Sequence, residues 1–419
     1  MSSYSTVSPT SDKVVWIFNH YAETPHGSGG GRHYNLAKEL KKHGWRATIV
    51  SASTVHPKGT QRFAFRGASC QTNEDGIEFV WVKVPDYHGS EMRRAFNMIV
   101  YFFQALRVML WRSTERPNVV IGSSVHPLAA LAALIVARKW RVPFVFEVRD
   151  LWPQTLIDMG KISSGGFMAR AMRGLERILY GSAERIITLL PKANCYIEEF
   201  GVPKEKIIWI PNGANLEEWE VEKSPGSSDS FNVVYFGSHG AANGLDTLLD
   251  AIEIIKNKGY GNRIFFRLIG DGPLKPHLRA KAQQLDLQNI FFYDQVTRDE
   301  VPSLAAEADA FIICVNNLPG LYRFGVSMNK IFEYMAAGRP IVIASAAANN
   351  PVAEAGAGIT VAPGVPEDLA QGILSMAALP EETRIEMGNA GRREVQNKYS
   401  FQKLGNDLCG ILNYLTDRP

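Results

Sequence analysis

The chain contains little cysteine, carries little net charge and lacks any long apolar run. Its cysteines are scattered with no CxxC pair, which argues against structural disulfides and zinc and favours a reducing compartment: Cys70, Cys195, Cys314 and Cys409. No apolar run reaches the ~18 residues of a membrane-spanning helix, and the polar N-terminus lacks a signal-peptide core. A formal net charge of +3 is too small to indicate nucleic acid as a partner. These absences predict a cytoplasmic protein that at most lies on a membrane surface.

Alternating strands and helices predict two α/β domains of similar size. Strands separated by helical stretches indicate mainly parallel sheets that are covered on both faces. The first series of strands ends before Pro211-Asn212-Gly213, and a second series begins after a polar loop. We therefore predict domains over 1–213 and 214–399, with a C-terminal helix near 400–419 packing back on the first domain. Because open α/β sheets bind ligands at the carboxyl ends of their strands, we expect the site in the cleft between the domains.

The segment 323–340, RFGVSMNKIFEYMAAGRP, carries the most specific pattern in the chain. Its apolar residues recur at helical spacing from Ser327 onward, and a helix N-terminus suits phosphate because its backbone N–H groups are unpaired. Lys330 adds a positive charge, and Glu333 follows about one turn later, where it can accept hydrogen bonds from sugar hydroxyls. The pattern predicts a nucleotide-sugar site with these donor-binding residues: Arg323, Gly325, Ser327, Asn329, Lys330 and Glu333.

Two glycine-rich loops each follow the first strand of a predicted domain and precede a helix. The loop 26–31 lies in the first domain and the loop 236–245 in the second. Glycines there allow a ligand to approach the backbone closely, although neither loop has the GxGxxG pattern of a dinucleotide site. A flexible surface loop remains the alternative for the first of them. The loops add these donor-binding residues to the prediction: Gly29, Gly30, Gly31, Gly237, Ser238, Asn243 and Gly244.

Ionisable residues follow two further predicted strands of the first domain. His126 follows the strand at 119–121, where it is placed either for the cleft or as a capping or core histidine. The strand at 144–148 runs into Arg149, Asp150 and Trp152, and charged groups there need a ligand or one another as partners. An internal network between the arginine and the aspartate is therefore the alternative to a ligand site.

The stretch 91–111, EMRRAFNMIVYFFQALRVMLW, has a helical pattern but is apolar nearly all round. Arginines surround its apolar residues: Arg93, Arg94, Arg107, Arg112 and Arg116. Such a helix is either deeply buried or lies in a membrane interface near anionic lipid, and the sequence leaves both interpretations open.

These motifs together resemble the retaining glycosyltransferases of family 4 over nearly the whole chain. Within that family, the chain looks most similar to bacterial surface-polysaccharide enzymes of the N-acetyl-L-fucosamine transferase type. The segments that carry the resemblance are 29–34, 146–153, 211–213, 240–245 and 324–340. The resemblance implies the GT-B fold, an α/β architecture in which the parallel sheets of two Rossmann-like domains face each other across a cleft.

The family also implies an activity and roles for particular residues. The expected reaction is metal-independent transfer of a hexose-type sugar, including N-acetylated or deoxy hexosamines, from a UDP-sugar to a lipid-linked acceptor at the cytoplasmic face of the inner membrane. Glu333 matches the second glutamate of the family's E-x7-E motif, which binds the donor's ribose hydroxyls. The predicted catalytic residues are His126, Asp150, Lys330 and Glu333. Those predicted on the acceptor side are Arg32, His33, Arg149 and Trp152.

The chain departs from the family pattern at two places. Gly325 stands eight residues before Glu333, where the first glutamate of the motif would be, and the usual Arg and Lys of the second glycine loop are missing. A donor sugar that lacks or reconfigures the hydroxyls read by that glutamate is therefore expected, with Lys330 or Arg323 supplying the charge. Three rivals stay open: a GT-B-like UDP-sugar 2-epimerase, a transferase with a soluble acceptor, and a sugar-nucleotide-binding protein that has lost catalysis.

Overall fold

The computed structural model describes residues 13–25, 27, 31–65, 67–112, 115–220 and 230–417. The strands of its first half are β1 (Lys13–Phe18), β2 (Trp45–Ala52), β3 (Thr54–Val55), β4 (Thr60–Gln61), β5 (Ser69–Glu74), β6 (Ile77–Val82), β7 (Val119–Ser123), β8 (Phe144–Val148), β9 (Arg185–Thr188) and β10 (Ile207–Trp209). Eight of them form one sheet in the order β10-β9-β8-β7-β1-β2-β6-β5, and only β5 runs antiparallel to its neighbour. The short strands β3 and β4 pair with each other alone.

The second half contains a smaller sheet whose strands are all parallel. Its strands are β11 (Phe231–Phe236), β12 (Ile264–Ile269), β13 (Ile290–Tyr293), β14 (Ala310–Cys314), β15 (Ile341–Ala344) and β16 (Gly358–Val361). They lie in the order β13-β12-β11-β14-β15-β16. The predicted α/β class, with largely parallel sheets in two domains, is thereby confirmed.

Helices cover both faces of both sheets. They are α1 (Arg32–Lys42), α2 (Glu91–Leu110), α3 (Pro127–Trp140), α4 (Gln154–Asp158), α5 (Phe167–Ser182), α6 (Ala193–Ile197), α7 (Leu245–Ile255), α8 (Lys275–Gln284), α9 (Val301–Ala306), α10 (Pro319–Tyr322), α11 (Asn329–Ala336), α12 (Pro351–Glu354), α13 (Pro366–Ala378), α14 (Glu381–Glu394) and α15 (Phe401–Thr416). Tighter 3₁₀ turns occupy Glu198–Phe200, Lys204–Lys206, Leu216–Trp219, Ala241–Asn243 and Arg298–Glu300, and wider π turns occupy Lys256–Tyr260 and Val395–Tyr399.

The C-terminal helix α15 belongs to the core of the first domain, although it is the last element of the chain. It lies against α1, and its apolar face shares one core with the first sheet through Phe401, Leu404, Leu408, Leu412 and Leu415. Burial of a continuous apolar face explains why the chain returns across the domain boundary.

The two domains meet near the carboxyl ends of their sheets. Asn212, which follows β10, donates from its backbone N–H to Ser327 Oγ at 2.8 Å. The backbone N–H of Lys192, beyond β9, donates to the carbonyl of Phe324 at 3.1 Å. Both contacts bring the first domain against the segment that leads into α11, so the predicted donor segment lies at the junction of the domains.

Only one face of α2 packs against the protein. Its buried residues follow a spacing of four and face the core: Asn97, Tyr101, Ala105 and Met109. The opposite face exposes large apolar side chains, including Phe96 at 58% and Phe103 at 63% exposure. Core burial therefore describes one face of this helix, whereas a membrane contact of the exposed face stays a prediction. Within the described parts of the chain, no helix combines the length and apolarity needed to cross a membrane.

A second helix exposes apolar residues on the same layer of the first domain. Phe167, Met168 and Ile178 of α5 are 81%, 58% and 52% exposed. Both α2 and α5 bury their inner faces in the same core, on either side of α3. The sequence analysis did not anticipate this second surface, because α5 follows a common amphipathic pattern whose outward face cannot be recognised locally.

The packing of α15 predicts that the first domain loses stability when its contact with α1 is weakened. Leu412 is fully buried in this contact, so Leu412→Ala should lower the free energy of unfolding by about 2–5 kcal/mol through lost burial and a residual cavity. Chemical denaturation followed by tryptophan fluorescence measures the change. The control is Gln402→Ala on the exposed side of the same helix, and equal stability of the two variants would contradict the assignment.

Candidate active site

Lys330 stands in the first turn of α11 and is held from two sides. Its Nζ donates hydrogen bonds to the hydroxyl of Tyr235 at 2.9 Å and to Asn243 Oδ1 at 2.7 Å. Burial lowers the pKa of Lys330 to about 8. Because both hydrogen-bond partners are neutral, neither of them compensates the charge of the ammonium, which remains available to an anion.

The loop after β11 wraps around this lysine. Asn243 Nδ2 and the Tyr235 hydroxyl both donate to the carbonyl of Ser238 at 2.8 Å. A Cβ atom on Gly237 would lie 3.1 Å from Lys330 Nζ, so a larger residue would crowd the ammonium. The structure therefore brings together five of the predicted donor residues: Gly237, Ser238, Asn243, Gly244 and Lys330.

Glu333, one turn along α11, is paired with an arginine that the sequence analysis missed. Arg298 Nη1 donates to Glu333 Oε1 at 3.2 Å, while Arg298 Nη2 and Nε donate to Glu218 Oε2 at 3.0 and 3.3 Å. Burial alone would lower the pKa of Arg298, but Glu333 and Glu218 raise it above its usual value. The arginine is thus a permanent cation between two carboxylates.

The segment before α11 joins the domains and leaves the helix start uncapped. Asn212 Nδ2 donates to the carbonyl of Ser327 at 2.5 Å, in addition to the backbone contact with Ser327 Oγ. In the described structure no side chain caps the N-terminus of α11, whose first residue is Asn329. Ser327 therefore contributes to the domain contact, and Asn329 stays next to Lys330 at an open helix N-terminus.

Arg323 and Gly325 also lie at the domain contact. Arg323 Nη1 donates to Asp158 Oδ2 of the first domain at 2.9 Å, so its charge is already partnered. Gly325 has φ +104°, and a Cβ atom there would lie 2.6 Å from both Asn349 Oδ1 and Pro191 Cδ. The backbone conformation and the lack of space together exclude a glutamate side chain at this position.

The structure describes only part of the first glycine loop. The predicted phosphate contacts Gly29 and Gly30 lie outside the described residues, so their role stays a prediction. Gly31 adopts the left-handed conformation, with φ +56°, immediately before α1. This turn directs the following residues into the domain interior.

Arg32 and His33 are buried in an internal network, and their role on the acceptor side stays a prediction. Arg32 Nε donates to Glu147 Oε1 at 2.9 Å, and His33 Nε2 lies 2.7 Å from Glu147 Oε2. Burial raises the pKa of Glu147, but His33 and Arg32 outweigh this and hold it well below its usual value. Because both side chains are only 3% exposed, direct contact with an acceptor would require this network to open.

His126 caps α3 inside the first domain, and its role at the reaction centre stays a prediction. Its Nδ1 accepts a hydrogen bond from the backbone N–H of Ala129 at 3.3 Å, and its Nε2 lies 2.8 Å from Nδ1 of His20. It is 2% exposed, and burial lowers its pKa to about 3. Both ring nitrogens of the neutral imidazole are therefore occupied by the protein. This is the capping alternative that the sequence left open.

The segment after β8 places the remaining predicted residues at the surface. Asp150 keeps solvent access, although protein surrounds it closely enough that desolvation raises its pKa, an effect that Arg149 opposes. Arg149 is half-buried and donates its backbone N–H to Ser124 Oγ at 3.1 Å. The indole Nε1 of half-exposed Trp152 is buried and has no hydrogen-bond partner among the described residues. These three side chains remain candidates for an acceptor contact.

The arrangement around α11 can bind a diphosphate and a diol together. Lys330 and an uncapped helix N-terminus offer positive charge and N–H donors, and Glu333 offers a carboxylate oxygen one turn away. Tyr235 and Arg298 were missed because the first reads as a core residue of a strand and the second lies in a short turn. The position of Arg298, shortly after β13 at the carboxyl end of the sheet, was a signal that could have found it.

Two protein families match the chain over most of its length. A glycosyl transferase 4-like domain matches residues 28–213, and a glycosyl transferases group 1 domain matches residues 230–378. "Probable glycosyltransferase WbjE" of Pseudomonas aeruginosa is 24% identical over 72% of this chain and 76% of its own length. "Putative colanic acid biosynthesis glycosyl transferase WcaI" of Escherichia coli K12 is 20% identical over 92% of this chain and 98% of its own length.

Solved structures of glycosyltransferases share the fold. The Anabaena protein Alr3699/HepE, solved in complex with UDP and glucose, superimposes with a TM-score of 0.66 at 15% identity, covering 96% of this chain and all of that one. At this identity the likeness shows the fold alone, which is GT-B. The two matched domains and the shared fold agree, so the chain is a glycosyltransferase of the GT-B type with a glycosyl transferase 4-like domain followed by a group 1 domain.

Proposed function

We propose that this glycosyltransferase moves a sugar from a UDP-sugar to a lipid-linked acceptor, with retention of anomeric configuration, in the synthesis of a bacterial surface glycan. The observation that carries the proposal is the placement of Lys330 and Glu333 one turn apart at the uncapped start of α11. That spacing fits a nucleoside diphosphate, whose charged phosphates and ribose hydroxyls are close neighbours.

The chemistry follows from where charge develops. The bond between the anomeric carbon and the diphosphate oxygen breaks, and negative charge accumulates on the departing UDP. The acceptor hydroxyl oxygen forms the new glycosidic bond at the same carbon, and its proton passes to the departing phosphate oxygen. Lys330 and the N-terminal dipole of α11 stabilise that charge, so the proposed mechanism requires no metal ion. Closure of the two domains would exclude water and limit hydrolysis of the donor.

The comparisons support the nucleotide and the pathway class. The Anabaena structure holds UDP and glucose, and the relative from Escherichia coli is named for colanic acid biosynthesis. Gly325 supports an unusual donor sugar, because no glutamate can stand there to read the hydroxyls of a common hexose. We therefore propose a hexose that is N-acetylated or deoxygenated.

The exposed faces of α2 and α5 support an acceptor held in a membrane. On α2, apolar side chains recur at alternating spacings of four and three, from Met92 through Phe96 and Ile99 to Phe103. Exposed arginines accompany both faces: Arg93 and Arg107 on α2, and Arg170 and Arg177 on α5. An apolar surface with this charge is suited to the interface of an anionic membrane.

A donor screen tests the proposal as a whole. The protein is incubated with individual UDP-sugars and a lipid-diphosphate-sugar acceptor, and products are identified by mass spectrometry. A glycosylated lipid supports the proposal. An epimerised UDP-sugar without any transferred product would identify a 2-epimerase, and nucleotide binding without turnover would identify a binding protein.

Removal of the Glu333 carboxylate should weaken donor binding by about 10–100-fold, because the ribose hydroxyls lose a charged hydrogen-bond acceptor. Isothermal titration of UDP into Glu333→Ala measures this loss. Glu386→Ala, an exposed glutamate on α14, is the matched control and should bind as the wild type does. UDP affinity that is unchanged in Glu333→Ala would contradict the assigned contact.

Activity should depend on the protonation of Lys330. Its pKa of about 8 means that the cation is present at pH 7 and is lost as pH rises through that value. For the wild type, kcat/KM for the donor should fall above pH 8 and approach a tenfold loss per pH unit. Lys330→Ala should have a much lower kcat and no such alkaline limb. An identical limb in the variant would assign it to another group.

Membrane binding should require the outer face of α2. Replacing exposed Phe96 and Phe103 with serine should reduce binding to vesicles containing anionic lipid at least tenfold, since each phenyl group contributes about 1.5–3 kcal/mol when buried. Vesicle flotation measures binding, and Phe291→Ser, an exposed aromatic in the second domain, is the control. Unchanged flotation of the double variant would contradict the surface. Conversion of a dimeric wild type to a monomer, without flotation of either, would identify a second copy as its occupant.

A further inference from the structure

Arg298 occupies a position that depends on two carboxylates from distant parts of the chain. Three of its N–H groups are directed at them, one at Glu333 on α11 and two at Glu218 in the turn Leu216–Trp219. The side chains of Arg298, Glu333 and Glu218 are 18%, 19% and 34% exposed. Partial burial strengthens these charge-assisted hydrogen bonds relative to those of a fully exposed pair.

The backbone of Arg298 is itself fixed. It follows Thr297, whose backbone N–H and hydroxyl both donate to Glu300 Oε2, at 2.8 and 2.6 Å, in a capping box. This turn lies beyond β13 and leads directly into α9. The guanidinium therefore extends toward α11 from a rigid base.

The second carboxylate, Glu218, is anchored in the same way. Arg392 Nη1 donates to the carbonyl of Trp219 at 3.1 Å and to the carbonyl of Ala336, the last residue of α11, at 2.7 Å. The turn that holds Glu218 is thus tied to the C-terminal end of α11 by Arg392 and to its Glu333 face by Arg298. These contacts of Arg392 and Arg298 hold the turn with Glu218 at a fixed position beside α11, and so beside Glu333.

Only one of the two carboxylate oxygens of Glu333 is occupied. Oε1 accepts from Arg298, and Oε2 has no hydrogen-bond partner among the described residues. A carboxylate held by one oxygen presents the other in a fixed direction, which lowers the entropic cost of binding a ligand.

We propose that Arg298 is a positioning residue that orients the carboxylate of Glu333 toward the ribose hydroxyls of the donor, with Glu218 as its opposite anchor. This inference rests on the proposed function, because it names how the nucleotide site is ordered. Without Arg298, two carboxylates that share one cation would repel each other, and Glu333 would turn away from the nucleotide. A lysine could not replace the fork, since its compact ammonium lacks the planar, widely spaced N–H groups with which the guanidinium reaches both carboxylates.

A cycle that pairs a protein variant with a ligand variant tests the proposal. Isothermal titration measures binding of UDP and of 2′,3′-dideoxy-UDP to the wild type and to Arg298→Gln. If Arg298 acts through the ribose contact, UDP binding should weaken about tenfold or more in the variant, whereas dideoxy-UDP binding should change less than twofold. In turnover assays, the variant should raise KM for the donor more than it lowers kcat.

Control variants separate positioning from general damage. Arg263→Gln, at an exposed position beside β12, should bind both nucleotides as the wild type does. Arg298→Lys should recover only part of the UDP affinity, and Glu218→Gln should weaken UDP but not dideoxy-UDP. Equal weakening of both nucleotides by Arg298→Gln would assign a structural role and overturn the inference. A wild type that binds neither nucleotide would overturn the proposed function itself, and the inference with it.

Discussion

The proposed donor site depends on a mostly buried lysine whose hydrogen-bond partners are neutral. A buried ammonium is costly unless its charge is compensated, and Lys330 has a phenol and an amide oxygen instead of a paired carboxylate. The nearest acidic residue on the same helix, Glu333, is engaged by Arg298. In the described structure, the helix α11 therefore carries a cation, Lys330, whose charge has no anionic partner, and an anion, Glu333, whose carboxylate is held by Arg298. The nucleoside diphosphate that we propose as ligand would compensate the first and contact the second.

The two domains differ in how their polar groups are satisfied. In the first domain, Arg32, His33 and Glu147 satisfy one another, and His20 pairs with His126. Such networks stabilise the ends of the strands and leave little capacity for a ligand. In the second domain, the corresponding strand ends carry groups whose partners are incomplete. This difference is the reason for which we propose the nucleotide site on the second domain.

Much of the fold could be predicted because buried parallel strands leave an unambiguous local signal. The strands at 144–148, 231–236, 310–314 and 341–344 have the bounds that their largely apolar sequences predict. The antiparallel pair β5 and β6 was missed, since β5 is polar and half-exposed and shows no apolar run. Local periodicity also could not tell which face of α2 is covered, because both faces are apolar and only packing against α3 decides it.

The geometry of the candidate site could be predicted where its residues lie within one segment, but not where it is assembled from several. Lys330 and Glu333 are neighbours on one helix, so spacing alone placed them together. Arg298 reaches Glu333 across 35 residues of sequence, and no local pattern records that contact. His126 was placed at the correct end of its strand, but the direction of its ring depends on His20, more than a hundred residues away.

The close contact of Gly325 with Pro191 has a consequence for how this enzyme could change. A single substitution cannot install a glutamate at position 325, because any side chain there meets the first domain before it reaches the cleft. A change in donor preference would have to arise from other residues of the pocket. Alternatively, Pro191 in the first domain and Asn349 in the second would have to change together with Gly325 to make room for a side chain. For protein engineers, the same contact marks position 325 as the wrong starting point for retargeting the sugar.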